Sequence, residues 1–153
     1  MTRSRFSALT ADAHISRKKA LLAMPQTWMN LSGRSVGEAV RFFQVDPEAV
    51  IVVHDEVDLP FGQIKIKRGG GHAGHNGLRS IVEVLGSSDF IRIRVGVGRP
   101  NGRIPMVDHV LSAFSRTEQE MLPGLIQEAA DATEHVLAEG LAPAMNRYNI
   151  ARI

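Results

Sequence analysis

The run Ala49-Val-Ile-Val-Val53 limits the fold more than any other stretch of the chain. Four consecutive β-branched residues with no polar alternation read as a strand covered on both faces, as in the interior of a parallel sheet. A sheet covered on both sides needs helices above and below it, and helix and strand patterns alternate along the rest of the sequence.

Residues 6 to 13 read as a modest strand, and Lys19-Ala-Leu-Leu-Ala-Met24 as a short buried one ending at Pro25. Ser32 offers an N-cap to a first helix, in which Val36, Ala39, Val40 and Phe43 recur at helical spacing up to Asp46-Pro47. His54-Asp-Glu-Val-Asp58 follows the apolar run, and Gln63-Ile-Lys-Ile-Lys67 alternates like a half-exposed strand. Arg68-Gly-Gly-Gly-His-Ala-Gly-His-Asn-Gly77 is a loop in which so many glycines mark tight turns or close approach of the backbone. It leads into a second helix with Leu78, Ile81, Val82 and Leu85 inward, then an alternating strand over Phe90–Val97. Ser115 and Glu118 make a capping box for a long helix through Leu122, Leu125, Ala129, Ala132 and Val136, stopped by Gly140. This order predicts a three-layer α/β fold: one domain over residues 1–153, with a mixed, mostly parallel sheet flanked by helices. The sheet is mixed because some connections are too short for a crossover helix.

With 153 residues and 44% apolar content, the chain can bury about 70% of the surface its unfolded form exposes. Eighteen Lys and Arg face sixteen Asp and Glu, so any basic patch has to come from folding. The absence of cysteine excludes disulfides, thiolate zinc sites and cysteine nucleophiles, and fits a reducing compartment. There is no apolar run of membrane-spanning length, and Met1-Thr-Arg-Ser-Arg-Phe6 lacks the apolar core of a signal peptide. A soluble, cytoplasmic protein is the expectation.

Polar side chains stand at the ends of these elements: Asn30 at the mouth of helix one, Asp55 after the buried strand and Asn76 before helix two. In an open α/β sheet such positions border the ligand crevice. Asn30 and Asn76 also suit an Asx-turn or a helix cap, and Asp55 with Asp58 suits a solvated turn before Leu59-Pro60. His72 and His75 lack a third ligand type at suitable spacing, so no metal is expected. The glycine run lacks the Lys-Ser/Thr of a P-loop and the spacing of a dinucleotide fingerprint. Lys65, Lys67, Arg68, Arg92 and Arg94 sit on two strand candidates, either as a solvated face or as a surface for a nucleic-acid backbone.

Pro25-Gln-Thr-Trp-Met-Asn-Leu-Ser-Gly33, His54-Asp-Glu-Val-Asp-Leu-Pro60, Lys67-Arg-Gly-Gly-Gly-His-Ala-Gly-His-Asn-Gly-Leu78 and Phe90-Ile-Arg-Ile-Arg-Val-Gly-Val-Gly-Arg-Pro100 resemble the successive signatures of bacterial peptidyl-tRNA hydrolases. The resemblance runs from about Phe6 onward and is strongest in the middle third. It implies a monomeric enzyme, free of metal and cofactor, that cleaves the ester between a peptide and the terminal ribose of peptidyl-tRNA and so recycles the tRNA in translation. On this resemblance Asn30 helps hold substrate and water, Asn76 positions and polarises the peptide carbonyl, and Met29 and His75 wall the crevice. Asp55 orients a catalytic histidine, while Lys67 and Arg94 meet the tRNA backbone. Amides aimed at a developing oxyanion stabilise it, and a basic surface steers a polyanion.

The family pattern also opens with a hydrophobic strand, a Gly-Asn-Pro-Gly turn and a Thr-Arg-His-Asn segment that supplies the catalytic histidine. Neither motif occurs in the 153 residues, which read as an N-terminally shortened domain of the family. His14, His54, His72 and His75 are not taken as substitutes, since a base must lie within hydrogen-bond reach of the water. Two functions therefore follow from the sequence: a hydrolase whose activity in this chain is reduced or lost, and a non-catalytic tRNA- or RNA-binding module of the same fold, like the plant organelle intron-splicing relatives.

Overall fold

A computed structural model describes residues 2–99 and 114–150; Pro100, the last residue of the fourth signature, lies outside them. The chain forms two compact units, Met1–Ile51 with Arg68–Ile91, and Val52–Lys67 with Arg92–Ile153. Neither is a continuous piece of chain.

The first unit begins with an antiparallel meander of β1 (Arg3–Arg5), β2 (Ala8–Ile15) and β3 (Lys18–Pro25). Ala8 pairs with Pro25 and Ile15 with Lys18, and Ser16 and Arg17 close the hairpin with φ of 52° and 67°. Two positive φ values match the right-handed twist of the flanking strands. The strand expected to be buried at Lys19–Met24 is exposed instead: Met24 is 62% accessible. Its strand lies at the end of its sheet, with a neighbour on one side only among the described residues.

Helices α1 (Ser32–Phe43) and α2 (Asn76–Leu85) complete this unit. Ser32 is the first residue of α1 and not its cap; its hydroxyl donates back to the Met29 carbonyl at 2.8 Å, within a single 3-10 turn over Met29–Leu31. The two helices cross where Gly33 meets Ser80, and the Gly33 N–H donates to Ser80 Oγ at 2.8 Å. Leu78 and Ile81 are buried as their spacing predicts.

The second unit contains β4 (Ile51–Glu56), β5 (Ile64–Arg68) and β6 (Ile91–Gly96), in the order β4-β6-β5. Ile91 N–H donates to Val50 O and Val97 N–H to Glu56 O, so both strands advance together and β4 and β6 are parallel. Gly96 N–H donates to Gln63 O and Gly69 N–H to Phe90 O, which makes β5 antiparallel to β6. The mixed α/β sheet is as expected, but the share of parallel pairing is smaller than the sequence reading gave. The physical reason is the link over residues 57–63, too short to cross the sheet, which returns β5 in the opposite sense.

Helix α3 (Arg116–Glu139) opens with the expected capping box: Glu118 N–H donates to Ser115 Oγ at 3.2 Å, and Ser115 N–H to Glu118 Oε1 at 2.9 Å. Gly140, with φ of 94°, passes the chain to α4 (Leu141–Tyr148). Asn149 just beyond α4 clasps β5, accepting from Ile66 N–H at 2.7 Å and donating to Ile66 O at 2.8 Å. Ile64, Ile66, Ile93, Leu125, Ala132 and Ala144 are buried. Val53 departs from the fully covered strand the sequence predicts. It is 52% exposed and borders an apolar groove of about 360 Å³ between the sheet residues Val95 and Val97 and the α3 residues Leu122 and Ile126. Among the described residues no helix is long and apolar enough to cross a membrane.

Candidate functional site

The sequence candidates fall into two groups, one in each unit. In the first, the glycine loop brings the chain from Arg68 to the start of α2. Gly69, Gly70, Ala73 and Gly74 all have positive φ, and at Ala73 that conformation is reached without glycine. His72 Nδ1 accepts the Gly74 N–H at 3.2 Å, and His75 N–H donates to His72 O at 2.8 Å. The chain then enters α2 through His75, whose Nδ1 accepts the Leu78 N–H at 3.1 Å and caps the helix. An imidazole nitrogen that accepts a backbone N–H carries no proton, so the His75 ring is neutral in this arrangement.

Asn76 is therefore the first residue inside the helix and not its cap, and its Oδ1 accepts from Arg79 Nη2 at 3.0 Å. Gly77 is buried beneath two side chains. A Cβ placed there would lie 2.8 Å from Met29 Sδ and 3.0 Å from His75 Cε1, closer than side chains tolerate. The lack of a side chain at Gly77 lets the Met29–Leu31 turn sit against the start of α2. Met29, Asn30, His75 and Asn76 thus belong to one neighbourhood, with Asn30 and Asn76 both exposed.

In the second unit the strands sort charge from hydrocarbon. Strand alternation puts Asp55 on the same face as Val53 and Val95. His54, Glu56, Arg92, Arg94, Lys65 and Lys67 share the opposite face; the register sets Lys67 opposite Arg92 and Lys65 opposite Arg94, so Lys67 is a diagonal neighbour of Arg94, and both lie across the sheet from Asp55. This charged face is no solvated surface. Arg92 is 3% exposed and Glu56 and His54 are 8% exposed.

Arg94 Nε donates to Glu56 Oε1 at 3.0 Å, and Arg92 Nη2 reaches the same oxygen at 3.7 Å. Arg92 Nε also donates to His54 Nε2 at 3.1 Å. A guanidinium only donates, so His54 Nε2 is the acceptor and the proton sits on Nδ1, 2.8 Å from Asp55 O. Burial first, then Arg92 and Arg94, lower the Lys67 amine below its usual value, with Glu56 partly opposing. Burial, then Arg94, likewise lowers Arg92, again against Glu56. Glu56 is not among the sequence-derived candidates, and Arg92 stands there only as one of several strand cations. Period-two alternation of His54 with Glu56 and of Arg92 with Arg94 was the available signal, but no local pattern shows which face is covered. Among the described residues no cluster of three or more His, Asp or Glu is placed to hold a metal.

Comparison with known proteins bears on the family and the fold. The sequence profile of the family described as peptidyl-tRNA hydrolase matches residues 1–153. The chain is 50% identical over 145 residues to a peptidyl-tRNA hydrolase of Frankia casuarinae, covering 95% of this chain and 74% of that one. It is 47% identical over 150 residues to one from Citrifermentans bemidjiense, covering 97% and 79% respectively. The crystal structure of the peptidyl-tRNA hydrolase from Acinetobacter baumannii superposes with a TM-score of 0.88 at 37% identity, over 99% of this chain and 77% of that one. The chain thus spans about three quarters of the relatives it matches. On this evidence from motifs, fold and sequence together, it belongs to the peptidyl-tRNA hydrolase family.

Proposed function

We propose that this chain acts on peptidyl-tRNA as a carboxylic ester hydrolase that releases the peptide from the terminal ribose. The observation that carries the reading is the seat at Gly77, where Met29 and His75 close on the backbone and bring Asn30 and Asn76 into one neighbourhood. Water attacks the ester carbonyl carbon and loses a proton. The Asn76 amide donates to the oxyanion that forms, and Asn30 holds substrate and water. Collapse breaks the bond to the ribose oxygen, which takes up a proton, and leaves the peptide with a free carboxylate. The family resemblance gives Asp55 the task of orienting the histidine of a Thr-Arg-His-Asn segment, which these 153 residues do not contain.

Because the segment Thr-Arg-His-Asn does not occur in the 153 residues, we infer that this polypeptide releases peptide slowly or not at all. The same absence favours the second reading, a tRNA-binding module without chemistry. Purified 153-residue protein is mixed with an N-acylated aminoacyl-tRNA, and both binding and peptide release are followed. Binding with slow release that Asp55→Ala removes supports the hydrolase; binding with no release above background supports the module. Robust release abolished by Asp55→Ala contradicts the slow turnover proposed for this polypeptide.

We further infer a monomer that works without metal in the cytoplasm, where its substrate arises, and a single domain. Three chain crossings between the two compact units support one cooperative domain over two separable ones.

A further inference from the structure

The charged face of the β4-β6-β5 sheet is an expensive thing to bury. Four cations, Lys65, Lys67, Arg92 and Arg94, share this face with the Glu56 carboxylate, and Arg92 also donates to the His54 imidazole. Burying charges costs several kcal/mol per ion unless the geometry is good, and a hydrophobic replacement is often no worse for stability. Glu56 touches both guanidinium groups: through Oε1 it binds Arg94 at 3.0 Å and Arg92 at 3.7 Å. The Arg94 bond uses Nε, so it fixes the plane of the guanidinium from the side and leaves the outer edge of the fork in a fixed direction.

We propose that Glu56 is a positioning residue for RNA recognition: Lys67 and Arg94 are the tRNA-backbone contacts that the family resemblance implies, and the Glu56 carboxylate aims the Arg94 guanidinium for that contact. The inference rests on the peptidyl-tRNA reading above. Arg92 completes the device from beneath. It is buried, tethered to both Glu56 and His54, and holds the carboxylate in place.

The role has a sign that simple electrostatics does not share. Removing a negative charge beside a bound phosphate strengthens attraction for a polyanion, whereas removing the group that aims Arg94 weakens binding. Deacylated tRNA is titrated against the full 153-residue protein and its Glu56→Gln, Glu56→Ala, Arg94→Ala and Glu56→Ala/Arg94→Ala variants, with thermal unfolding followed for each. The near-isosteric Glu56→Gln keeps the fold testable if Glu56→Ala unfolds.

Binding roughly tenfold weaker in Glu56→Gln, as for loss of one charged hydrogen bond, is the expected result, with no further loss when Glu56 is changed in the Arg94→Ala background. A second readout follows the alkaline decline of binding. The groups facing Lys67 are Arg92, Arg94, Glu56, His54 and Lys65, and loss of the only carboxylate among them moves that decline to lower pH. Tighter binding by Glu56→Gln, or losses that simply add in the double variant, overturns the positioning role alone. If the parent protein shows no salt-dependent tRNA binding, the peptidyl-tRNA reading falls and this inference falls with it.

Discussion

The backbone N–H of Gly33 donates to the hydroxyl of Ser80, 47 residues away, and a methyl group on Gly33 would overlap the Ser80 carbonyl oxygen. Helix α1 can therefore approach α2 only while residue 33 has no side chain. Gly33→Ala is expected to cost about 1–3 kcal/mol through overpacking, and Ser80→Ala about 1 kcal/mol through the lost hydrogen bond. Urea unfolding of both variants checks the order. Because α1 directly follows the Met29–Leu31 turn, Gly33→Ala also weakens substrate binding, whereas an Ala at exposed Arg34 leaves it unchanged.

His75 spends Nδ1 on the Leu78 N–H. Its replacement by Ala removes the cap of α2 and is expected to destabilise by about 1 kcal/mol, whereas Asn, whose side-chain oxygen accepts the same N–H, restores most of the loss. Thermal melts of the two variants decide it; equal melting temperatures would remove the cap from the account.

Asn76 sits exposed in the first turn of α2 with its oxygen turned to Arg79, so its amide N–H groups are the part suited to a substrate carbonyl. In whatever release the polypeptide shows, Asn76→Ala is expected to lower the rate about 10²–10³-fold, the usual cost of one oxyanion donor. A change of less than threefold would take Asn76 out of that role. Single-turnover assays keep binding and chemistry apart.

Lys67 is proposed to meet an RNA phosphate. Replacing it by Ala is expected to weaken tRNA binding and to flatten the dependence of log K on log salt by about 0.9, the share of one phosphate contact. Titrations at several salt concentrations measure the slope, and an unchanged slope sinks the contact.

The same lysine costs stability, and the sign can be worked out. Its folded pKa lies below the ordinary 10.5 because of burial, then Arg92, then Arg94. At pH below the lowered value the amine is charged in both states and the folded one is penalised. Between that value and 10.5 the unfolded chain binds more protons, so stability rises with pH; above both the effect is gone. Lys67→Met is therefore expected to raise the melting temperature at neutral pH while lowering RNA affinity, a trade visible in parallel melts and titrations.

Much of this was legible in the residues. The capping box at Ser115 and Glu118 and the inward set Leu78 and Ile81 were readable because each depends on neighbours within a turn or two. The glycine signature gave the approach to α2 but not its reason, since the two side chains that require Gly77 include Met29, far back in sequence. Ser32 misled because its composition suits a cap, while the 3-10 turn before it already met the backbone need and turned the hydroxyl back to Met29. Lys19–Met24 and Val53 misled for another reason: an apolar run tells that a strand is favourable, not how many neighbours the sheet will give it. The burial of Arg92 was hidden for the same cause, as alternation reports faces without saying which one is covered.

Asn149 presents to Ile66 what an adjoining strand would present: an acceptor for its N–H and a donor for its carbonyl. Strand β5 closes one end of its sheet among the described residues, and that end is where a stray chain could add itself by backbone pairing. One side-chain amide thus acts as a plug against self-association. Its loss in Asn149→Ala would show first as concentration-dependent aggregation on warming, before any change at the substrate site.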